Sequence, residues 1–192
     1  METALALVRH GQTDWNVAGR LQGRTDIELN ETGRDQARRL GRYLRNKNWD
    51  LVLASPLGRA QETAALIAEQ TGAQTGVAVP ELIERSFGPL EGRIMGGVSD
   101  EEAALVNHEL ETHAAILDRA LPALVDLAQR YPGQRTLVVS HGATMRTVRD
   151  ALAGQRIDQS VENGEIISID LQRLHQLHQQ RQGAQETAEV SR

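Results

Sequence analysis

The sequence contains no cysteine, and that absence removes disulfides, thiolate nucleophiles and Cys-based zinc sites together. Aromatic residues make up only 3%, so the core has to be built from Ala, Val, Leu and Ile, as expected when strands alternate with covering helices. No uncharged stretch is long enough to span a bilayer, and the N-terminal apolar run is interrupted by Glu2 and Arg9, unlike a secretory signal. Cytoplasmic residence with no membrane partner is therefore expected. An excess of positive charge is also missing: the formal net charge is −5, which argues against a nucleic acid partner. No internal repeat is seen. With 192 residues, 40% of them hydrophobic, the chain can bury one sizeable core and is short for two independent domains.

What is present begins where the first apolar run stops. Ala4-Leu5-Ala6-Leu7-Val8 reads as a strand, and Arg9-His10-Gly11 at its end set a permanent cation and an imidazole where strand gives way to turn. In open α/β sheets, ligands bind in the crevice outside the carboxyl ends of the strands. Thr136-Leu137-Val138-Val139 repeats the arrangement by running into Ser140-His141-Gly142, after which Met145, Val148 and Leu152 recur at helical spacing. Leu51 to Ala54 makes a third strand. Ser55 then suits an N-cap and Pro56 a first helical position, which puts Arg59 in the opening turn, near the positive end of the helix dipole. An anion there would meet charge and dipole together. Each of these residues also has a plain structural reading when taken singly.

Between these segments, Thr32 to Asp35 suits a capping box, with Ala37, Leu40, Gly41 and Leu44 on the inward face of the helix that follows. Ala60, Thr63, Ala64 and Ile67 line a second helix, ending near Gly72. Val77 to Val79 reads as a short strand and Glu165 to Asp170 as the last one. From Ser99 to about Arg130 the pattern is helical, with Pro122 expected to bend or divide it. Leu171 onwards is polar and Gln-rich and reads as a short docked helix that then frays. His175 and His178 could share a helix face there, but they have no carboxylate or thiolate close by, so no metal site is expected.

Leu7-Val8-Arg9-His10-Gly11-Gln12-Thr13, Ser55-Pro56 with Arg59-Ala60, Leu82-Ile83-Glu84 with Phe87-Gly88, and Val139-Ser140-His141-Gly142 stand in one order along the chain. This set resembles the histidine phosphatase superfamily, the phosphoglycerate mutase-like group, up to about residue 170. The resemblance implies a three-layer α/β/α sandwich around a mostly parallel mixed sheet. It implies a single domain over 1–170, with a short helical cover at about 93–118 and a polar tail over 171–192. It makes His10 the nucleophile, sets Arg9, Arg59 and His141 around the phosphoryl group, and gives Glu84 the general acid role, with Glu81 and Glu91 as rivals on the residues alone. Asn16, Gln22, Gly23 and Gly142 become phosphate or substrate contacts.

The chemistry is consistent with those residue types. Imidazole is a nucleophile near neutral pH, and a phosphohistidine splits one difficult displacement into two easier ones. Two guanidiniums match phosphate oxygens bidentately, so neither a metal nor another cofactor is called for. The first reading is a metal-independent phosphomonoester hydrolase acting on a small phosphorylated substrate, as a monomer or homodimer. The alternatives are a cofactor-dependent phosphoglycerate mutase and a non-catalytic phospholigand-binding regulator. Two departures bear on the substrate. Leu90 stands where the family commonly has an aromatic. The segment after Gly92 is short, lacks a Gly-Glu-Ser type loop and has no Lys or Arg between Arg93 and Arg119. Its acids Asp100, Glu101, Glu102, Glu109, Glu111 and Asp118 would repel a second phosphate, or else form a solvated helix face.

Overall fold

The computed structural model describes residues 2–190. Chain order runs β1 (Ala4–Arg9), α1 (Asp14–Val17), α2 (Glu31–Leu44), β2 (Leu51–Ala54), α3 (Gly58–Thr71), β3 (Gln74–Thr75), α4 (Asp100–Val106), α5 (His113–Arg130), β4 (Arg135–Ser140), α6 (Gly142–Ala153), β5 (Ile166–Ile169) and α7 (Leu171–Val190). The strands form one sheet of order β3-β2-β4-β1-β5. All neighbours are parallel except β5, which pairs antiparallel with β1.

The central strands are continuous apolar runs because both their faces are covered. Leu5 and Leu7 of β1 and Leu51 and Leu53 of β2 face one way, into a core shared with Leu121 and Leu124 of α5, Met145 and Val148 of α6 and Leu174 of α7. Ala6 and Val8, with Val52 and Ala54, face the other way, onto Ala60, Ala64, Ile67 and Ala68 of α3 and Leu44 of α2. The layer of α2 and α3 meets the sheet largely through small residues, and the opposite layer is Leu-rich. Each fully buried Leu there contributes about 1.5–3 kcal/mol. The result is the α/β/α sandwich around a mostly parallel mixed sheet.

Five local expectations are corrected. α2 is capped by Asn30, whose side chain accepts the Gly33 N–H, and not by Thr32. α3 begins at Gly58 after an extended Leu57 that gives no side-chain cap, so Ser55 is no N-cap, although Arg59 does fall in the opening turn. Val77 to Val79 is not a strand: the edge strand is Gln74–Thr75, and Val79 instead turns into the core. Pro122 lies inside a continuous α5, while the break in the helical stretch comes earlier, in the short 3₁₀ turn Asn107–Glu109 and the segment leading to the Thr112 cap. α7 also runs to Val190, longer than a short docked helix.

Candidate active site

β1 and β4 are adjacent and parallel with Arg9 opposite Ser140, so the residues that follow them leave the sheet side by side. The His10 and His141 ring centroids are 5.1 Å apart, and both side chains are buried. His10 Nδ1 lies 2.7 Å from Gly11 O. A carbonyl only accepts, so Nδ1 carries the hydrogen and Nε2 keeps its lone pair. Burial, then the charges of Arg59 and Arg9, push the His10 imidazole well below its usual range. The ring is thus held neutral, as a nucleophile must be. The turn that aims it depends on a close approach of backbones, because a methyl on Gly11 would lie 2.4 Å from Gly33 O.

The two arginines are fixed through some of their donors and open through others. Arg59 donates to Thr25 O and Gly23 O, each at 2.8 Å, and is 1% exposed. Arg9 donates to Val161 O. Among the described residues, Arg9 Nε, Arg59 Nε, His141 Nδ1 and Gln22 Oε1 are buried with no hydrogen-bond partner. Leaving such atoms unmade costs about 1–3 kcal/mol each, more for charged groups. Burial, followed by His10, Arg59 and Arg9, also drives His141 well below the usual imidazole range. Gly142 packs closely on Arg9: a Cβ there would come within 3.2 Å of Arg9 Nε, so the guanidinium would have to give by a few tenths of an ångström.

Glu84 is brought to the same place by the first turn of α6. Its Oε1 accepts from Arg85 N at 2.8 Å and Thr144 N at 3.0 Å, while Oε2 accepts from Ala143 N alone, at 3.2 Å. Oε2 is therefore the oxygen with a lone pair to spare. Glu91, by contrast, accepts from Arg24 N, Thr25 N, Thr25 Oγ1 and Phe87 N. Burial would raise its carboxyl, but these hydrogen bonds outweigh it and hold it below the usual range. It braces the loop whose Gly23 has φ +54°. Glu81 is exposed, and its backbone carbonyl receives Arg119.

Residues 5–185 match the histidine phosphatase superfamily (branch 1). The chain belongs to this superfamily. Among its relatives, an uncharacterized phosphatase of Bacillus subtilis is 37% identical over 152 residues, 79% of this chain and 78% of its own. A metal-independent phosphoserine phosphatase of Arabidopsis thaliana is 31% identical over 186 residues, 90% of this chain and 76% of its own. A probable phosphoglycerate mutase of Enterobacter is 35% identical over 159 residues, 77% and 74% of the two chains. Among solved structures, the vanadate complex of a mycobacterial glucosyl-3-phosphoglycerate phosphatase superposes with a TM-score of 0.77 at 26% identity, covering 87% of this chain and 90% of that one. With this family and these relatives, the chain is a phosphoric monoester hydrolase.

This histidine phosphatase gathers Arg9, His10, Arg59, Glu84, His141 and Gly142 at one crevice. Asn16 lies in α1, and Gln22, in the loop after that helix, is buried. The Asn16 Oδ1 accepts from Thr13 N at 3.0 Å and Asn163 Nδ2 at 3.3 Å, which leaves its NH₂ group for another acceptor. Three supporting residues escaped the sequence reading. Asn163 donates to His10 O at 2.9 Å, Thr63 accepts the Gly11 N–H at 3.0 Å, and Ser55 Oγ lies 2.5 Å from His141 Nε2. Ser55, ending a strand beside the Arg59 turn, and Thr63, on the inward face of its helix, carried a signal, whereas Asn163 carried none.

The segment after Gly92 differs from a uniformly acidic cover. Glu111 takes Arg119 at 2.7 Å and Arg24 at 3.3 Å, Asp118 takes Arg181, and Glu102 takes Arg93. Asp100 and Glu101 are on the solvated side of α4, which buries none of its residues. Among the described residues, His175 and His178 find no third metal ligand, and no helix is long and apolar enough to cross a membrane.

Proposed function

We propose that this enzyme hydrolyses a small phosphomonoester through a phosphohistidine on His10, with no metal ion taking part. The observation that carries the reading is the set of orphaned buried donors, Arg9 Nε, Arg59 Nε and His141 Nδ1, around a neutral imidazole whose Nε2 is free. A phosphoryl group would give all three donors an acceptor at once and place its phosphorus before the lone pair.

In the first step His10 Nε2 forms the bond to phosphorus as the ester P–O bond breaks, and the departing oxygen takes a proton from Glu84 Oε2. Charge on the transferring group spreads over the Arg9 and Arg59 forks, the Asn16 amide and the N–H of Gly142, since those of Ala143 and Thr144 are occupied by Glu84. In the second step water attacks the phosphohistidine, Glu84 takes its proton, and His10 is regenerated with free phosphate. The roles of Gln22 and Gly23 are to shape the phosphate side of the crevice and to anchor Arg59. The catalytic unit is one domain over 1–170, with 93–118 as its cover and 171–192 as a polar extension. It works in the cytoplasm as a monomer or homodimer.

Turnover of p-nitrophenyl phosphate in excess chelator tests this. Activity that survives chelation and is blocked by vanadate is expected. Activity lost with the chelator and restored by a divalent ion would overturn the metal-free route, and a folded protein that binds phosphate esters without hydrolysing them would be a phospholigand-binding regulator instead.

A further inference from the structure

Between α5, α6 and the segment that follows α6 lies a cleft of about 370 Å³, lined by His113, Leu117, Arg146, Thr147, Arg156 and neighbours. Its volume is in the range of small-molecule sites. Leu117 and Ala151 give it an apolar floor, and its polar wall is cationic. Arg146 makes no ion pair among the described residues. Arg156 meets only Asp158 at 3.6 Å, with both side chains more than 80% exposed, an arrangement worth little. The one acid in the lining, Asp150, is already taken by Arg149 at 3.0 Å.

We propose that this cleft is a second anion site, separate from the phosphoryl crevice, which takes a small organic polyanion carrying carboxylate or phosphate groups. Arg146 and Arg156 supply the charge, and the planar fork of each suits either group. His113 adds a switchable third donor. The Thr147 hydroxyl donates to Ala143 O at 2.8 Å, so its hydrogen is spent and His113 Nδ1, 2.9 Å away, must be the donor to it. Nε2 is then the nitrogen that can gain a proton. Burial, then Arg85 and Arg146, with a smaller part from Arg156, hold His113 below the usual imidazole range, and Asp150 alone works the other way. An anion that neutralises those guanidiniums removes the penalty, so His113 should protonate more readily in the occupied cleft and binding should tighten as pH falls. The cleft also touches the catalytic layout through a chain of hydrogen bonds: His113 to Thr147, Thr147 to Ala143 O, and Ala143 N to Glu84.

The test follows the His113 imidazole Cε1–H by NMR, assigned with His113→Gln, during titration with citrate and, separately, with methylenediphosphonate. A saturable shift with at least one probe, accompanied by a rise in the His113 pKa, is expected. The tighter of the two probes then separates a polycarboxylate from a phosphorylated ligand. In the doubly charge-reversed Arg146→Glu/Arg156→Glu protein, affinity should fall about tenfold or more while p-nitrophenyl phosphate turnover is retained, because neither residue belongs to the reaction crevice. No saturation with either probe in the wild type, or equal affinity in the double variant, would overturn the site. Neither result depends on the hydrolase mechanism, which is read separately by turnover.

Discussion

Ser55 Oγ lies 2.5 Å from His141 Nε2, inside a wholly buried contact between the end of β2 and the end of β4. Ser55 Oγ also accepts the Leu57 N–H at 3.4 Å, and among the described residues His141 Nε2 is the one acceptor within reach of the buried hydroxyl, whose proton is therefore directed to it. In the neutral ring the hydrogen then sits on Nδ1, the nitrogen without a protein partner. The pair turns a histidine into a fixed donor.

Ser55→Ala should therefore leave the fold in place but let His141 choose its tautomer and angle. kcat should fall about tenfold or more, with KM changed less, because orientation of a charge-stabilising donor is what is lost. Steady-state kinetics beside a thermal melt checks this. An unchanged kcat would mean that His141 is held adequately without Ser55.

Arg59→Lys keeps a positive charge but cannot hold Thr25 O, Gly23 O and a phosphoryl oxygen at the same time. A drop of roughly 10²-fold in kcat is expected, the scale of losing one preorganised donor. The same rate as wild type would show that point charge alone suffices.

Glu84→Gln should separate substrates by their leaving groups. The amide oxygen can still accept from Arg85 N and Thr144 N, but no proton can be passed to the departing oxygen. Alkyl phosphates should lose about 10²–10⁴-fold, and p-nitrophenyl phosphate far less, since nitrophenolate leaves without a proton. Equal losses for both would move the acid role elsewhere.

The buried histidines also set a pH signature. His10 and His141 titrate well below their ordinary value when folded, whereas in the unfolded chain they titrate near about 6.5. Below that value the unfolded state binds more protons, so the contribution of the neutral rings to stability is full above it and declines as pH falls toward the folded values. The decline reaches at most about 1.4 kcal/mol per pH unit for each histidine. Denaturant midpoints measured from pH 7.5 to 5 should show it, with a shallower slope in His141→Asn. A flat profile in the wild type would contradict neutral burial.

Much of this site was legible because strand ends and helix starts leave local marks. Apolar runs ending in Arg9-His10 and in Ser140-His141 placed both imidazoles correctly, as parallel pairing of β1 with β4 required. Arg59 was placed in the right turn for a partly wrong reason. Ser55 was assigned to a cap, but tertiary contact claimed its hydroxyl for His141, and the helix started later, at Gly58. Asn163 was invisible because it comes from a polar loop that approaches His10 only through the antiparallel return of β5. Pro122 misled because its missing N–H and ring were tolerated within α5, while the break falls where Thr112 caps the start of that helix; Glu111 just before it pairs with Arg119 and Arg24. Those same pairs show why summing acids along the cover overstated its charge.

Hydrolysis should still prevail over phosphate transfer back to a second molecule. The segment between Arg93 and Arg119 has no Lys or Arg, so it offers no guanidinium or ammonium to hold a second phosphate. With 3-phosphoglycerate and catalytic 2,3-bisphosphoglycerate, free phosphate should outpace 2-phosphoglycerate. Mutation outrunning phosphate release by about an order of magnitude would assign a mutase.

The covalent step on His10 is the centre of the account, and rapid quenching with ³²P-labelled substrate, followed by peptide mapping, tests it most directly. Acid-labile, base-stable label on the peptide that contains His10 is the expected result. Label on any other residue would contradict the mechanism.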